Sequence, residues 1–182
     1  IPTAITAKLW AFLFSEQGIV NSIFHAHVAW QTDPWAARFS IILADVWKTT
    51  PFMALLILAG LQMIPKDLYE AARMDGANAW QRFTRITLPL AKNSIIVAVL
   101  FRMLDALRMY DLPYIMVGPN PDSPTATLSQ LVVAAIRQDH VNAASALSTL
   151  IFLLIFLIAL CFVKSLGSKV AHQAEPVVAE EE

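Results

Sequence analysis

The side chains best placed to do chemistry in this chain are charges set into apolar sequence. Arg102, Asp105, Arg108 and Asp111 recur at every third position. On a helix each is a neighbour of the next, so alternating signs make a ladder of pairs. Pairing lowers the cost of burying charge, and an ionisable group inside a membrane marks a pathway, a proton site or a structural pair. Asp45 and Lys48 repeat the spacing, with Trp47 between them and Pro51 just beyond. Pro51 removes an amide donor, so it is expected to kink its helix and free the Trp47 carbonyl. Broken helices inside a bundle often line a cavity. No nucleophile–base pair, metal triad or paired-carboxylate arrangement stands out, which argues against a membrane enzyme. His25 and His27 lack a third ligand, so no metal site is expected. No GxxxxGK[ST] phosphate loop is present, so the chain is not itself expected to hydrolyse ATP.

These charges need long apolar elements to hold them, and the composition supplies them. Of the 182 residues 57% are hydrophobic and 15% charged, where about 25% charged is usual. Mean hydropathy is +0.57, and the net charge of −1 offers no basic field for nucleic acid. The single cysteine, Cys161, lies in an apolar run, so no disulfide framework is available. Residues 142–164 form the clearest membrane span: an uncharged helix from Ala143 to Val163 covers about 30 Å. Residues 39–64 and 93–114 are expected to be two further spans, whose charges face protein or a water-filled path rather than lipid. Lys66, Arg73, Arg82, Arg85 and Lys92 place the 65–92 loop on the cytoplasmic side. The 115–141 loop, with Arg137 as its only basic residue and many turn-forming residues, is expected to be external. Residues 1–38 are expected at the outer interface, with Trp10, Trp30 and Trp35 in an aromatic belt and the end of an earlier span at their start. The chain opens on Ile1 without a signal pattern, so its true N-terminus is expected upstream. Residues 165–182, ending in three Glu, are expected to be a disordered cytoplasmic tail.

The interruption at residues 65–89 reads as two short helices with a tight bend. "KDLYEAARM" is good helix-forming sequence after Pro65. Gly76 falls where a helix needs a left-handed residue to stop. Asn78 and Gln81 make a capping-box pattern for a second helix, which Leu88-Pro89 is expected to end. Trp80, Phe83 and Ile86 form its apolar stripe and are expected to pack the elbow against the bundle. Ala71 and Ala72 allow close approach of another surface, and Glu70 can accept from a basic donor on it. Two readings stay open on these residues alone: an amphipathic helix resting on lipid headgroups, or a docking knob for a cytoplasmic partner.

The spacing Glu70-Ala71-Ala72, Gly76, Ile86, Leu88-Pro89 resembles the EAA loop of ABC importer permeases. Asp75, Ala77, Phe83 and the flanking "PFMALLILAGLQMIPKDLYEAARMDGA" resemble the carbohydrate-importer, maltose-type branch. The resemblance covers nearly all of the chain. It implies an all-α polytopic membrane bundle with a cytoplasmic coupling elbow, matching the C-terminal part of a six-span permease.

That family's function follows as an expectation: a non-catalytic subunit of an ATP-driven sugar importer, carrying a disaccharide such as trehalose by alternating access. Importers of glycerol phosphate or oligosaccharides, and an ion-coupled carrier using Asp45 or Asp105, remain alternatives. The implied partners are a second permease subunit, two ATP-binding subunits that carry ATP and Mg, and an extracytoplasmic sugar-binding protein or lipoprotein. This chain binds no cofactor in that reading. Glu70, Ala71 and Ala72 would seat in the ATPase groove, Gly76 would make the bend, and Asp75 would brace it or reach the partner. Within the spans, Arg108, Tyr110 and Asp111 combine planar donors and acceptors with an aromatic face, which suits a polyol; Trp47 and Lys48 are further candidates for the path. Asp45, Arg102 and Asp105 are expected to be structural ion pairs.

Overall fold

The structure, a computed structural model, describes residues 2–25 and 27–174, with side chains described through residue 164. Every regular element among the described residues is helical. In chain order they are α1 (Thr3–Leu13), α2 (Ile19–Phe24), α3 (Pro34–Gln62), α4 (Lys66–Met74), α5 (Ala79–Arg82), a π-helical turn (Phe83–Thr87), α6 (Leu88–Leu107), α7 (Asp111–Met116), α8 (Leu128–Arg137) and α9 (Val141–Ala174). Three helical runs are long and apolar enough to cross a membrane: Pro34–Gln62, Ala79–Leu107 and Val141–Lys164. The apolar window of the last is 0% buried within the chain, as a helix facing lipid or a partner requires.

The chain divides into two compact units. The first comprises Ile1–Pro51 and Asp105–Leu153. Its core is Ala7, Phe14, Ile41, Ala44, Leu112 and Met116: α1 and α7 pack against each other, and Ile41 and Ala44 of α3 join their cluster. Aromatic rings extend this core. Trp10 stacks on Phe14 at 5.6 Å and meets Trp47 edge-on at 5.9 Å, while Phe14 and Trp30 lie 5.0 Å apart. Buried Asn21 ties the α2 hairpin together: its Oδ1 accepts from Trp30 Nε1 at 2.7 Å, and its Nδ2 donates to the carbonyls of Glu16 and Val28. Trp10 and Trp30 are thus packing residues, whereas Trp35 is 77% exposed under the Arg38 guanidinium.

The second unit comprises Phe52–Leu104 and the residues from Leu154 onward. Its helices approach through small residues. Ala91, Ser94 and Ala98 share one face of α6, with Ala91 and Ala98 buried. Gly60 of α3 lies so close that a Cβ there would collide with the Ser94 side chain. Close backbone approach at small residues is how membrane helices gain packing without a hydrophobic driving force.

Three expectations about element limits give way to proline chemistry and local capping. Pro89 does not stop the elbow's second helix; the run continues from Ala79 to Leu107. A proline clashes with the carbonyl four residues back. The π-turn just before it widens the ladder, with Leu88 N–H donating to the Phe83 carbonyl five residues back. The second departure is at the other end. α6 stops at Leu107, so Arg108, Met109 and Tyr110 are not helical, and α7 begins at Asp111. A helix running through Pro113 would orphan the Met109 carbonyl; instead Pro113 sits in the first turn of α7, and Met109 O accepts from Thr127 Oγ1 at 2.7 Å. Lastly, α9 continues past Lys164 to Ala174, so the expected tail is helical up to that point; residues 175–182 lie outside the described residues.

Candidate functional site

Two places in the chain gather the residues singled out above. The first is the elbow. α4 buries none of its residues. Glu70, Ala71, Asp75 and Gly76 are exposed and Ala72 is partly covered. Gly76 has φ +76°, the left-handed region where a side chain would be strained. Around it Gly76 N–H donates to Arg73 O at 3.0 Å and Ala77 N–H to Ala72 O at 2.9 Å, the paired bonds of a Schellman stop. Asn78 and Gln81 then form a reciprocal capping box, at 2.9 and 2.8 Å, and Arg82 Nη1 donates to Ala77 O. The bend is therefore closed by backbone bonds on one side and by a cap on the other. The Tyr69 hydroxyl lies 2.9 Å from Thr87 Oγ1, linking α4 to the π-turn.

Trp80 and Phe83 do not pack the elbow down. Their rings pair at 5.7 Å, and they are 72% and 46% exposed. Because α5 runs straight on into α6, this stripe projects from the chain, and Ile86 is partly covered. The elbow thus presents a small-residue helix, a carboxylate and two aromatic rings.

The second place is a cavity of about 120 Å³ in the first unit. Asp45 and Lys48 reach it from α3, Asp105 from the end of α6, and Arg108, Tyr110 and Asp111 from the helix break and the start of α7. Three carboxylates and two cations therefore face one space. The break between α6 and α7 is what turns Arg108 and Asp111 from rungs on a single helix into cavity residues. Trp47 is not among the lining residues; it is half-exposed and meets Trp10. Arg102 does not line the cavity either. Pro51 lies inside α3 at the limit of the first unit, with Thr49 and Thr50 hydroxyls donating to the carbonyls of Asp45 and Val46 just before it. His25 closes α2 with φ 49°.

Sequence reasoning missed Tyr114 and Arg137. Tyr114 stacks on Tyr110 at 5.0 Å, and the Arg137 guanidinium sits 5.3 Å from the Tyr114 ring centre. Arg137 donates a hydrogen bond to the Tyr114 hydroxyl, which holds its guanidinium above its ordinary value. The available signal was the i, i+4 spacing of the tyrosines and the Thr127/Gln130 capping pattern that opens α8.

Comparison with known proteins agrees with this architecture. The chain is 43% identical over 169 residues to a trehalose/maltose transport system permease protein of Thermococcus litoralis, covering 90% of this chain and 57% of that protein. It is 45% identical over 129 residues to a trehalose transport system permease of Mycobacterium tuberculosis, covering 70% of this chain and 41% of the relative. It is 44% identical over 137 residues to a sulfoquinovosyl glycerol transport system permease of Agrobacterium fabrum, covering 72% and 44%. The chain thus spans roughly half the length of these relatives. Its fold matches a chain of a bacterial ABC transporter that imports the acidic polysaccharide alginate, with a TM-score of 0.82 and 26% identity over 92% of this chain and 61% of that one. Residues 1–172 match the family model described as binding-protein-dependent transport system inner membrane component. The chain, an all-helical non-catalytic membrane subunit, belongs to that family.

Proposed function

We propose that this chain is a permease subunit of an ATP-driven saccharide importer, in which the elbow receives the motion of ATP-binding subunits and the charged cavity meets the solute. The observation that carries the reading is the elbow itself: an exposed helix, α4, stopped at Gly76 and followed by a second helix that is continuous through Ala79–Leu107 with a membrane span. A rigid element of this kind can transmit a displacement, where a flexible loop would absorb it. Glu70, Ala71, Ala72 and Asp75 form the docking face, and Gly76 sets its angle. ATP and Mg belong to the partner subunits. The remaining partners are a second permease subunit and an extracytoplasmic binding protein, in line with the alginate transporter solved with its pentasaccharide-bound periplasmic protein.

The saccharide assignment is supported by relatives named for trehalose, maltose and sulfoquinovosyl glycerol transport. The cavity chemistry fits: Lys48, Arg108, Asp111 and Tyr110 offer planar donors, acceptors and an apolar ring face to vicinal hydroxyls. Trehalose is the disaccharide named by two of these relatives, and Trp47 contributes through the aromatic cluster behind Lys48 rather than by contact. Asp45 and Asp105 act as counter-charges that keep the cationic side chains, Arg102 among them, in place. With the elbow loop inside, residues 115–141 face out and the C-terminus lies in the cytoplasm of a cell-membrane protein.

The test is to assemble the whole transporter with Glu70→Lys or Gly76→Val. Loss of the ATPase subunit, or loss of uptake while the binding protein still docks, is expected. Unchanged assembly, stimulated ATP hydrolysis and uptake in both variants would remove the coupling role.

A further inference from the structure

Tyr110 lines two cavities. Besides the charged one, it borders a second space of about 150 Å³ built entirely from residues 110–138, between α7, the 117–127 loop and α8. At roughly 30 Å³ per water, that is room for about five waters, the scale of a small polyol rather than of one ion. Its chemistry differs from that of its neighbour. Arg137 is the one charged residue among those lining it, and the other polar groups are the amides of Gln130 and Gln138 and the two phenols.

These groups are held in place. Gln130 is 5% exposed, and its Oε1 accepts from the Thr127 amide at 3.0 Å, which leaves its NH₂ end to donate elsewhere. Thr127 is in turn anchored to the Met109 carbonyl, next to Tyr110. Tyr110 and Tyr114 stack 24° from parallel, and Arg137 covers Tyr114. Pro119 and Pro121 make the far wall. A planar guanidinium and two amides match the paired hydroxyls of a sugar ring, while stacked phenols and prolines match its C–H surface. The lack of a lining carboxylate separates this site from one built for a cation.

We propose that this second cavity is an outer saccharide subsite that takes one sugar ring, and that Tyr110 is the wall it shares with the charged cavity. The proposal rests on the saccharide-importer reading and adds a binding place to it. A ring leaving this subsite meets Lys48, Arg108 and Asp111 once Tyr110 swings aside, so a disaccharide can be held by one ring while the other is passed on.

Two measurements on the complete transporter test it. Photolabelling with a diazirine derivative of trehalose, followed by peptide mapping, is expected to mark residues 114–138, with protection by unmodified trehalose. Labelling confined to peptides around residues 45–48 and 102–112 would overturn the subsite, and this arm needs no substitution. Uptake is then followed with whichever of radiolabelled trehalose or maltose the unsubstituted transporter carries. Arg137→Met and Gln138→Leu are expected to raise the half-saturating concentration about tenfold, as loss of a hydrogen bond to a charged or buried group does, with a smaller effect on maximal uptake. Arg137→Lys should recover part of the loss. Asp122→Asn, on the same loop but outside the lining, serves as the control. A half-saturating concentration unchanged in both cavity variants overturns the subsite alone. An unsubstituted transporter that carries neither these sugars nor sulfoquinovosyl glycerol overturns the saccharide reading, and the subsite with it.

Discussion

At the residue scale, Gly76 is a position where backbone conformation dictates identity. Its φ of +76° costs a residue with a Cβ about 1–2 kcal/mol, and a β-branched valine more. No atom lies within 4 Å of where a Cβ would stand, so the cost is conformational and local. Gly76→Val is therefore expected to leave the membrane part folded, with melting of the complex unchanged within a few degrees, while ATP-driven uptake fails; Gly76→Asn, which tolerates the left-handed region, should keep most of it. Comparing uptake and thermal melting of the two variants separates coupling from folding. In the charged cavity, Lys48→Ala and Arg108→Ala each remove a cationic donor from the lining. The expected outcome is a half-saturating sugar concentration about 10- to 100-fold higher in an uptake assay.

At the element scale, the elbow and its span are one piece because of the π-turn. It lets a helix carry Pro89 without breaking, and it places Thr87 beside the Tyr69 hydroxyl of α4. Tyr69→Phe or Thr87→Val removes that link at a cost of about 0.5–1.5 kcal/mol. The expected result is normal assembly and ATP hydrolysis with fewer sugars carried per ATP, read by measuring both rates in the same vesicles. Equal stoichiometry in both variants would show that the link does not transmit force. The α3–α6 contact at Gly60 gives a different expectation. Gly60→Leu drives a side chain into Ser94, and overpacking of this kind costs about 1–3 kcal/mol. A lower melting temperature in detergent is expected, with partial recovery in Gly60→Ala combined with Ser94→Gly.

At the scale of the whole molecule, membrane sidedness follows from the charge of the connecting loops. The basic loop between the first two spans and the nearly neutral 115–141 loop argue for the elbow inside. Met74, 89% exposed at the elbow, and Ser123, in the 117–127 loop, are suitable reporters. With Cys161 replaced by Ala, a membrane-impermeant maleimide is expected to label Ser123→Cys in intact cells and Met74→Cys after lysis. The reverse pattern would invert the topology and end the coupling reading of the elbow.

What the sequence determined by itself is everything that depends on neighbours along the chain. Composition and run length located three apolar helices, and the glycine stop and the Asn78/Gln81 box defined the elbow, because caps and left-handed turns are closed by residues within about five positions. Tertiary structure decided the rest. Whether Arg108 and Asp111 continued a helical ladder or faced a cavity depended on the Met109 carbonyl finding Thr127, eighteen positions later. The π-turn that carries Pro89 is closed locally, yet its Thr87 is tied to the Tyr69 hydroxyl, eighteen positions earlier, a link that no neighbouring residues announce. Tyr114 and Arg137 met across α7 and α8, so neither could be read as a site residue until those helices were packed. Local bonds are written in adjacent residues; a cavity is written only in the distances that folding closes.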